Sequence, residues 1–413
     1  MKSNTVNKRK IFNDPIYGFI TIPNEIIFDL IEHPYFQRLR RIKQLGLTAL
    51  VYPGALHTRF HHAMGAMYLM TQAIEVLRSK GVEISAEEAE GVTVAVLLHD
   101  IGHGPFSHAL ESSLVNDVSH EQISEIFMDK LNEEFGGRLS LAIQIFRNEY
   151  SKKFLHQLVS SQLDMDRLDY LKRDSFFTGV SEGIISSDRI IAMLAVSNDS
   201  LAIEAKGIYS IEKFIIARRL MYWQVYLHKT VLSAEHLLVN ILSRAKELSA
   251  AGKELFATPA LKLFLKHNYT KNDFIANAAI LNAFAELDDN DIFTSIKVWK
   301  ESDDPILAVL CRCLVNRNLF KIELQNEQFS LQKIEELKQK AKEKYQLTDA
   351  QIKYFVFSDS IKNSAYNPTS ERISILYKDG KTVDIADAAD QLNISVLSKA
   401  VEKFFLCYPK ELV

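Results

Sequence analysis

The sequence predicts a mainly α-helical protein with a smaller C-terminal α+β segment. Apolar residues recur at helical spacing along most of the chain up to about residue 313. Beyond residue 318, alternating apolar and polar residues and an Asp379-Gly380 turn indicate strands. A chain of 413 residues is long enough for two or more domains. The stretch 249–253 is the best candidate boundary, which predicts one domain over 1–250 and a second region over 251–413.

The first domain is predicted to begin with a short strand and to continue as helices. The strand covers 18–22 and stops before Pro23, after which Asn24 can cap a helix. Further helices are predicted from apolar periodicity at 34–43, 58–79, 86–101, 105–115, 120–134, 152–174 and 209–249.

The second region is predicted to mix strands and helices. After helices that continue to about 313, the pattern predicts strands at 319–324 and 354–357 around a charged helix at 330–345. A hairpin is predicted from 373–377 and 382–385, because the Asp-Gly pair between them allows the positive φ of a tight turn. A last helix is predicted at 394–405.

The bulk composition excludes several classes of protein. A formal net charge of −3 argues against a general nucleic-acid binder. The first five residues lack the apolar core of a signal peptide, and no run of about 18 apolar residues predicts a membrane span. Three cysteines, two of them at Cys311 and Cys313, favour reduced thiols in a cytoplasmic protein.

Histidines are concentrated in one part of the chain. Seven of the twelve lie between residues 57 and 120, where even spacing would place roughly two. The dipeptide His99-Asp100 ends the apolar run 94–98 and offers one imidazole nitrogen and one carboxylate oxygen to a single cation. Such crowding predicts metal-assisted acid–base chemistry. The alternative is a set of hydrogen-bonded core or surface histidines.

Helical spacing groups further polar residues. His108 and Glu111 are three residues apart, which lets a carboxylate orient an imidazole. Asp166, Tyr170 and Asp174 fall at i, i+4 and i+8 on one helix face. The alternative for this second group is an ordinary solvated face.

These residues resemble a known family. His62, His99, Asp100 and Asp166 match the H…HD…D signature of the HD phosphohydrolase superfamily. Six motifs, in order, narrow the resemblance to its deoxynucleoside triphosphate triphosphohydrolases: Gln44-Leu45-Gly46, residues 57–62, residues 99–108, residues 119–122, residues 164–170 and residues 226–229. The resemblance is strong from about residue 10 to 230 and implies an HD-domain helical fold there.

The resemblance implies a metal centre and a reaction. His62, His99, Asp100 and Asp166 would bind a divalent ion, which the ligand types leave open among Mn²⁺, Fe²⁺, Mg²⁺ and Zn²⁺. Water would attack the α-phosphorus, and the nucleoside 5′-oxygen would leave. The residues implied as the acid or as α-phosphate ligands are His108 oriented by Glu111, then His103 and His120.

The resemblance also implies the substrate contacts. Phosphate oxygens would be held by Arg59 and Arg218, with Lys172 or Arg173 as a further contact. The residues expected at the sugar and base are Gln44, Leu45, Tyr170, Asp174, Tyr222 and Tyr226. Leu45 would crowd the 2′ position and favour deoxyribose. The alternative for the two later tyrosines is core packing.

A second nucleotide site and an oligomer are implied as well. Five residues resemble those that bind an activating guanine nucleotide, GTP or dGTP, between subunits: Lys10, Asn13, Glu32, Gln37 and Arg40. The expected assembly is a homo-oligomer, a dimer or a tetramer. The alternative is that these are ordinary surface charges.

The function predicted from the sequence is therefore metal-dependent hydrolysis of dNTPs, including dGTP, to deoxynucleoside and triphosphate. Two alternatives remain open. One is an HD phosphatase or phosphodiesterase that acts on another nucleotide, and the other is a nucleotide-sensing protein with a silent HD site.

Overall fold

The computed structural model describes residues 10–107, 111, 113–115, 118–368, 372–389 and 399–413. The helices up to residue 250 are α1 (Glu25–Glu32), α2 (Pro34–Gln37), α3 (Arg59–Ser79), α4 (Ala86–Leu98), α5 (His120–Glu134), α6 (Ser140–Phe146), α7 (Lys153–Val159), α8 (Met165–Thr178), α9 (Ser187–Ala192), α10 (Ile208–Met221) and α11 (Lys229–Ala250). Those that follow are α12 (Pro259–Lys266), α13 (Lys271–Ala276), α14 (Ala278–Glu286), α15 (Asp289–Trp299), α16 (Pro305–Val315), α17 (Leu331–Tyr345) and α18 (Ile385–Ala388). A mainly helical fold is confirmed.

Helices α3, α4 and α8 form the part of the core that carries the histidines. Thr58 begins α3 and Ser85 begins α4, each through a capping box that satisfies the first free backbone N–H groups. Helix α3 packs against both α4 and α8 and buries most of its length. Helix α4 ends at Leu98, and His99 is its C-cap. The HD dipeptide therefore stands where a buried helix gives way to a turn.

Glycine allows that turn to approach α5 closely. A Cβ added to Gly102 would overlap the backbone of α5 at His120 and Ser124. The Gly102 N–H donates to Ser124 Oγ at 2.8 Å, and Ser124 Oγ donates to the His99 carbonyl at 2.8 Å. The turn after His99-Asp100 is thus fixed against the helix that begins at His120.

Several helix predictions are confirmed and others are corrected. The helices predicted at 58–79, 86–101 and 120–134 are present, although α4 is three residues shorter. The single helix predicted at 152–174 is wrong, because the Asp164 side chain caps a new helix, α8, and separates it from α7. The helix predicted at 209–249 is interrupted by a π-helical turn at Tyr222–Tyr226. The helix predicted at 34–43 continues beyond α2 only as a 3₁₀ turn, Arg38–Arg41. Of the helix predicted at 105–115, residues 108–110 and 112 lie outside the described residues.

Nine strands form three sheets within the described ranges. The strands are β1 (Ile11–Asp14), β2 (Gly18–Thr21), β3 (Leu194–Ser197), β4 (Ser200–Glu204), β5 (Lys321–Gln325), β6 (Phe357–Asn363), β7 (Ser374–Leu376), β8 (Thr382–Asp384) and β9 (Val401–Tyr408). The predicted hairpin is confirmed as the antiparallel pair β7–β8. The strand predicted at 354–357 begins only at Phe357, after a 3₁₀ turn.

The helix predicted at 394–405 is wrong for the residues of this range that the structure describes as a strand. Residues 394–398 lie outside the described part of the chain, and Val401–Tyr408 form a strand. This strand lies between β5 and β6 and is antiparallel to both. Its residues from Phe405 to Tyr408 are buried, so pairing on both sides outweighs the local helical pattern.

Strand pairing also crosses the predicted boundary near residue 250. The order of the four-stranded sheet is β3-β4-β7-β8, in which β4 and β7 are parallel. The division into 1–250 and 251–413 stays a prediction. None of the described helices has the length and apolar character needed to cross a membrane.

Candidate metal and phosphate site

Four side chains predicted as metal ligands converge from three elements. His62 lies in α3, His99 and Asp100 follow α4, and Asp166 lies in α8. The Nε2 atoms of His62 and His99 are 3.1 and 3.6 Å from Asp166 Oδ1. Asp100 Oδ1 is 3.4 Å from His99 Nε2, and its Oδ2 is 3.9 Å from His62 Nε2. The structure therefore brings two imidazoles and two carboxylates to one place.

Hydrogen bonds at the far side of each imidazole orient the two histidines. His99 Nδ1 lies 2.6 Å from the Val96 carbonyl oxygen, so this nitrogen carries the proton and donates. His62 Nδ1 lies 2.8 Å from Asp169 Oδ2. Among the described residues, both Nε2 atoms are buried without a hydrogen bond. Two buried lone pairs beside two carboxylates fit a divalent metal ion with nitrogen and oxygen ligands.

The field at this centre is strongly negative. Burial opposes a charge on His62, but Asp166 and Asp169 outweigh burial and raise the pKa of His62 to about 10. Burial would raise the pKa of Asp166, but His62 and His99 hold it well below its usual value. The same carboxylates that favour protonated imidazoles also favour a bound cation.

A buried network supports His62 from behind. Asp169 accepts two hydrogen bonds from Arg173, Nε to Oδ2 at 2.9 Å and Nη2 to Oδ1 at 3.0 Å. Arg173 Nη1 donates to Asp14 Oδ2 at 2.8 Å. A Cβ on Gly65 of α3 would overlap Asp169 Oδ1 and Arg173 Nη2, so glycine provides the space for this network. Sequence interpretation gave Asp169 no role, although it lies within the motif 164–170 and three residues after Asp166 on the same helix.

This network corrects the suggestion that Arg173 contacts phosphate. Arg173 is fully buried, and its guanidinium group is bonded to Asp169 and Asp14. Lys172, the other residue suggested, is half-buried, and its Nζ donates to Ser187 Oγ at 3.2 Å. Neither residue is bonded to the metal-ligand cluster in the described structure.

Arg59 connects the cluster to the neighbouring cavity. Its Nη1 donates to Asp100 Oδ2 at 2.6 Å, and its Nη2 donates to Ser107 Oγ at 3.1 Å. Its Nε is buried and has no hydrogen-bond partner in the described part of the chain. Burial would raise the pKa of Asp100, but His99, His103 and Arg59 lower it well below its usual value.

A second polar cluster contains His103, Glu111 and His120. One potential ligand atom from each lies within 4.8 Å of the other two. The two imidazole rings are stacked with centroids 3.8 Å apart. Glu111 Oε1 is 3.0 Å from His120 Nδ1, and His103 Nε2 is 3.3 Å from Asp100 Oδ1. Burial and the charge of Arg59 hold the pKa of His103 well below its usual value.

The predicted partner of Glu111 was His108, which lies outside the described residues. In the described structure the carboxylate of Glu111 contacts His120. Arg38, which sequence interpretation also missed, fixes the loop between the two clusters. It is fully buried, and its Nη2 donates to the carbonyl oxygens of Ile101 and His103 at 2.7 and 2.8 Å.

A cavity of about 280 Å³ opens beside Arg59. It is lined by Lys43, Gln44, Leu45, Gly46, Thr48, Arg59, Phe106, Ser107, Tyr222, Tyr226, Leu227, Leu232 and Glu235. Five residues predicted as substrate contacts are among these: Gln44, Leu45, Arg59, Tyr222 and Tyr226. The π-helical turn brings both tyrosines to this wall, and their rings meet edge to face at 5.1 Å. Glu235 was not selected from the sequence.

Three other predicted contacts are not among the lining residues. Asp174 is buried, and its two carboxylate oxygens are bonded to His57 Nε2 at 2.7 Å and to the Tyr226 hydroxyl at 2.8 Å. Tyr170 packs edge to face on Tyr226, with ring centroids 6.2 Å apart. Arg218 lies in α10, and its buried Nε has no hydrogen-bond partner within the described ranges.

The residues predicted to bind a regulatory nucleotide form two contacts. Lys10 Nζ is 3.9 Å from Glu32 Oε1, and both side chains are about half exposed. Arg40 Nε donates to Gln37 Oε1 at 2.9 Å, and its guanidinium stacks over the Phe60 ring at 3.5 Å. Asn13 lies in β1 opposite Phe19.

Comparisons with known proteins agree with this geometry. Residues 59–174 match the HD domain family, and residues 185–258 match the HD associated region. The protein YwfO of Bacillus subtilis is 32% identical over 422 residues, which cover 99% of this chain and 94% of YwfO. The crystal structure of a phosphohydrolase from Bacteroides thetaiotaomicron has a TM-score of 0.94 and 55% identity, covering 97% of this chain and 99% of that chain. The chain therefore belongs to the HD-domain phosphohydrolases.

Within this family the chain is related to enzymes named deoxynucleoside triphosphate triphosphohydrolase SAMHD1. The SAMHD1 homologue of Dictyostelium discoideum is 31% identical over 265 residues, which cover 60% of this chain and 51% of that protein. SAMHD1 of Danio rerio is 32% identical over 213 residues, which cover 41% of this chain and 34% of that protein. The chain spans about half or less of the length of these two relatives. The predicted resemblance is confirmed at the level of the family.

Proposed function

We propose that this protein is a metal-dependent triphosphohydrolase that converts dNTPs to deoxynucleoside and triphosphate. One observation carries the proposal: two imidazoles and two carboxylates meet at one centre, and Arg59 joins this centre to a cavity lined by tyrosines. The names of the SAMHD1 relatives support dNTPs as the substrate class.

The residues proposed to hold the metal ion are His62, His99, Asp100 and Asp166, with Mn²⁺, Fe²⁺, Mg²⁺ or Zn²⁺ as candidates. When bound, such an ion polarises a phosphoryl oxygen and lowers the pKa of a water molecule toward neutrality. Asp169 and the Val96 carbonyl hold the imidazoles with Nε2 toward the centre. Because the protein itself supplies these hydrogen bonds, they lower the cost of assembling the site.

Arg59 is proposed to hold phosphate oxygens. Its guanidinium already faces Asp100 and Ser107, and it lines the cavity from the side of the metal ligands. A planar guanidinium fork matches the spacing of two phosphate oxygens. Arg59 therefore places the triphosphate beside the cluster and the nucleoside toward the tyrosines.

The leaving 5′-oxygen needs a proton. His103 and His120 are proposed as α-phosphate contacts or as the holder of that proton, because His103 lies next to Asp100 and the two rings are stacked on each other. The lowered pKa of His103 favours its neutral form, so His103 suits the phosphate contact and His120 the proton. Glu111 is proposed to position His120 through its 3.0 Å contact. His108 stays a predicted acid outside the described residues.

The nucleoside is proposed to lie against Gln44, Leu45, Tyr222 and Tyr226. The Asp174 carboxylate, held by His57, fixes the Tyr226 hydroxyl and so acts as a positioning residue in the described structure. Contacts of Asp174, Tyr170 and Arg218 with the substrate stay predictions. Assembly into a homo-oligomer also stays a prediction. The same holds for a GTP or dGTP effector, for which the predicted contacts are Lys10, Asn13, Glu32, Gln37 and Arg40.

The test is to incubate the purified protein with each dNTP and NTP, with Mn²⁺ or Mg²⁺ and with or without GTP, and to identify the products. The proposal expects deoxynucleoside and triphosphate from wild type and no turnover from Asp166→Ala at unchanged helical content. Nucleoside diphosphate and orthophosphate would instead favour a phosphatase. Nucleotide binding without turnover would favour a silent sensor.

A further inference from the structure

The cavity beside Arg59 contains one acidic side chain that the proposed chemistry does not use. Glu235 lies in α11, one turn after Leu232, and both residues line the cavity. The metal ligands and Arg59 come instead from α3, α4 and α8 and the turn after α4. Arg59 and Ser107, where the phosphates are proposed to bind, therefore line one part of the cavity, and α11 lines another part.

Glu235 is partly buried and lacks a protein partner. Within the described part of the chain, no hydrogen bond or ion pair involves its carboxyl group. Burial is the single cause that raises its pKa, to about 7. A carboxyl group in an apolar wall without a partner is costly unless a ligand supplies hydrogen-bond donors.

The surroundings of Glu235 suit a nucleobase. The same cavity is also lined by Tyr222, Tyr226 and Leu227, which offer aromatic and aliphatic surface for the faces of a flat ring. The Watson–Crick edge of guanine presents two adjacent donors, N1–H and the 2-amino group, and a carboxylate can accept from both. The same edge of adenine presents a donor beside an acceptor, so a carboxylate can accept only one hydrogen bond from it.

We propose that Glu235 determines base preference by accepting hydrogen bonds from the N1–H and 2-amino groups of guanine, so that dGTP is the preferred substrate. This inference deepens the proposed function and rests on it. Two donors directed at Glu235 would also favour its charged form and so compensate for its burial.

The experiment compares wild type with Glu235→Gln, using kcat/KM for dGTP, dITP, dATP and dCTP. The base of dITP lacks only the 2-amino group. Wild type is expected to prefer dGTP over dITP by about ten- to a hundredfold, since a site that hydrogen-bonds a polar group rejects an analogue without it. Glu235→Gln should reduce this ratio to near one. It should also shift the preference from dGTP toward dATP, because a carboxamide pairs with the adenine edge.

A matched control is Glu75→Gln, which makes the same chemical change at an exposed position of α3. This variant should keep the base preference of wild type. Melting temperatures and helical content of all three proteins show whether either substitution disturbs the fold.

The outcomes separate this inference from the proposed function. If Glu235→Gln lowers kcat/KM equally for all four nucleotides, or leaves the ratio of dGTP to dITP unchanged, Glu235 does not read the base. If wild type hydrolyses no dNTP, the proposed function fails. Binding of dGTP and dITP, measured by calorimetry, then tests the inference by itself. The inference expects wild type to bind dGTP more tightly than dITP and Glu235→Gln to lose this difference.

Discussion

Replacing Asp169 with asparagine tests the network that supports the metal centre. The asparagine keeps the size of the side chain but removes the charge that faces His62 and Arg173. All three groups are fully buried, so water cannot replace the lost interaction. The expected consequences are a weaker metal site and a less stable fold.

The size of both effects follows from these contacts. Removing one partner of a buried charge pair typically costs about 3–5 kcal/mol. Asp14 still accepts from Arg173 Nη1, so the lower end of that range is expected here. Replacing a carboxylate that orients a ligating histidine lowers metal affinity by about 10- to 100-fold.

Asp169→Asn should also change how the stability of the fold depends on pH. Burial opposes ionisation of Asp169, but Arg173 and His62 hold its pKa below the usual value in the folded protein. A depressed folded pKa contributes stability above the unfolded pKa, and this contribution is lost as the pH falls through the folded value. Asp169→Asn should therefore lose more stability relative to wild type at pH 7 than below about pH 3.

The assay combines chemical denaturation with metal binding by competition against a chelator, with Asp188→Asn as the control. The Asp188 side chain is 88% exposed, and Lys172 Nζ lies 3.9 Å from its Oδ1. That variant should match wild type in both measurements. If Asp169→Asn binds metal as tightly as wild type, the network does not support the centre.

Three further predictions concern the sugar, the packing and the pH dependence. Leu45→Ala should raise kcat/KM for NTPs relative to dNTPs by roughly ten- to a hundredfold if Leu45 crowds the 2′ position; lower thermal stability with an unchanged ratio would mean ordinary core packing. Gly65→Ala should destabilise the fold by about 1–3 kcal/mol and weaken metal binding, because its Cβ would overlap the Asp169–Arg173 pair; wild-type metal affinity would contradict this. Burial raises the pKa of Asp289 to about 6, so this group favours the folded state increasingly as the pH falls through 6 toward the unfolded value near 4. Asp289→Asn should therefore show a smaller gain in unfolding free energy between pH 7 and pH 4 than wild type, and equal pH profiles would refute that reasoning.

The sequence was sufficient to predict the residues that meet through short, local spacing. His99-Asp100 and the line from Asp166 along α8 could be placed on their helices, and the family motifs added His62. Helices α3, α4 and α5 were predicted because apolar residues recur there at helical spacing.

Features that depend on long-range packing could not be predicted. The role of Asp169 arises only because Gly65 lets α3 and α8 approach closely. Glu235 reaches the cavity because α11 follows the π-helical turn, which apolar periodicity does not reveal. The strand Val401–Tyr408 is determined by pairing with β5 and β6, which outweighs the local preference.

Hydrolysis of dGTP in ¹⁸O-labelled water, with Mn²⁺ or Mg²⁺, tests the central claim most directly. Attack at the α-phosphorus predicts one ¹⁸O atom in the triphosphate and none in the deoxyguanosine, measured by mass spectrometry. Label in orthophosphate together with dGDP, or label in the deoxynucleoside, would contradict the account.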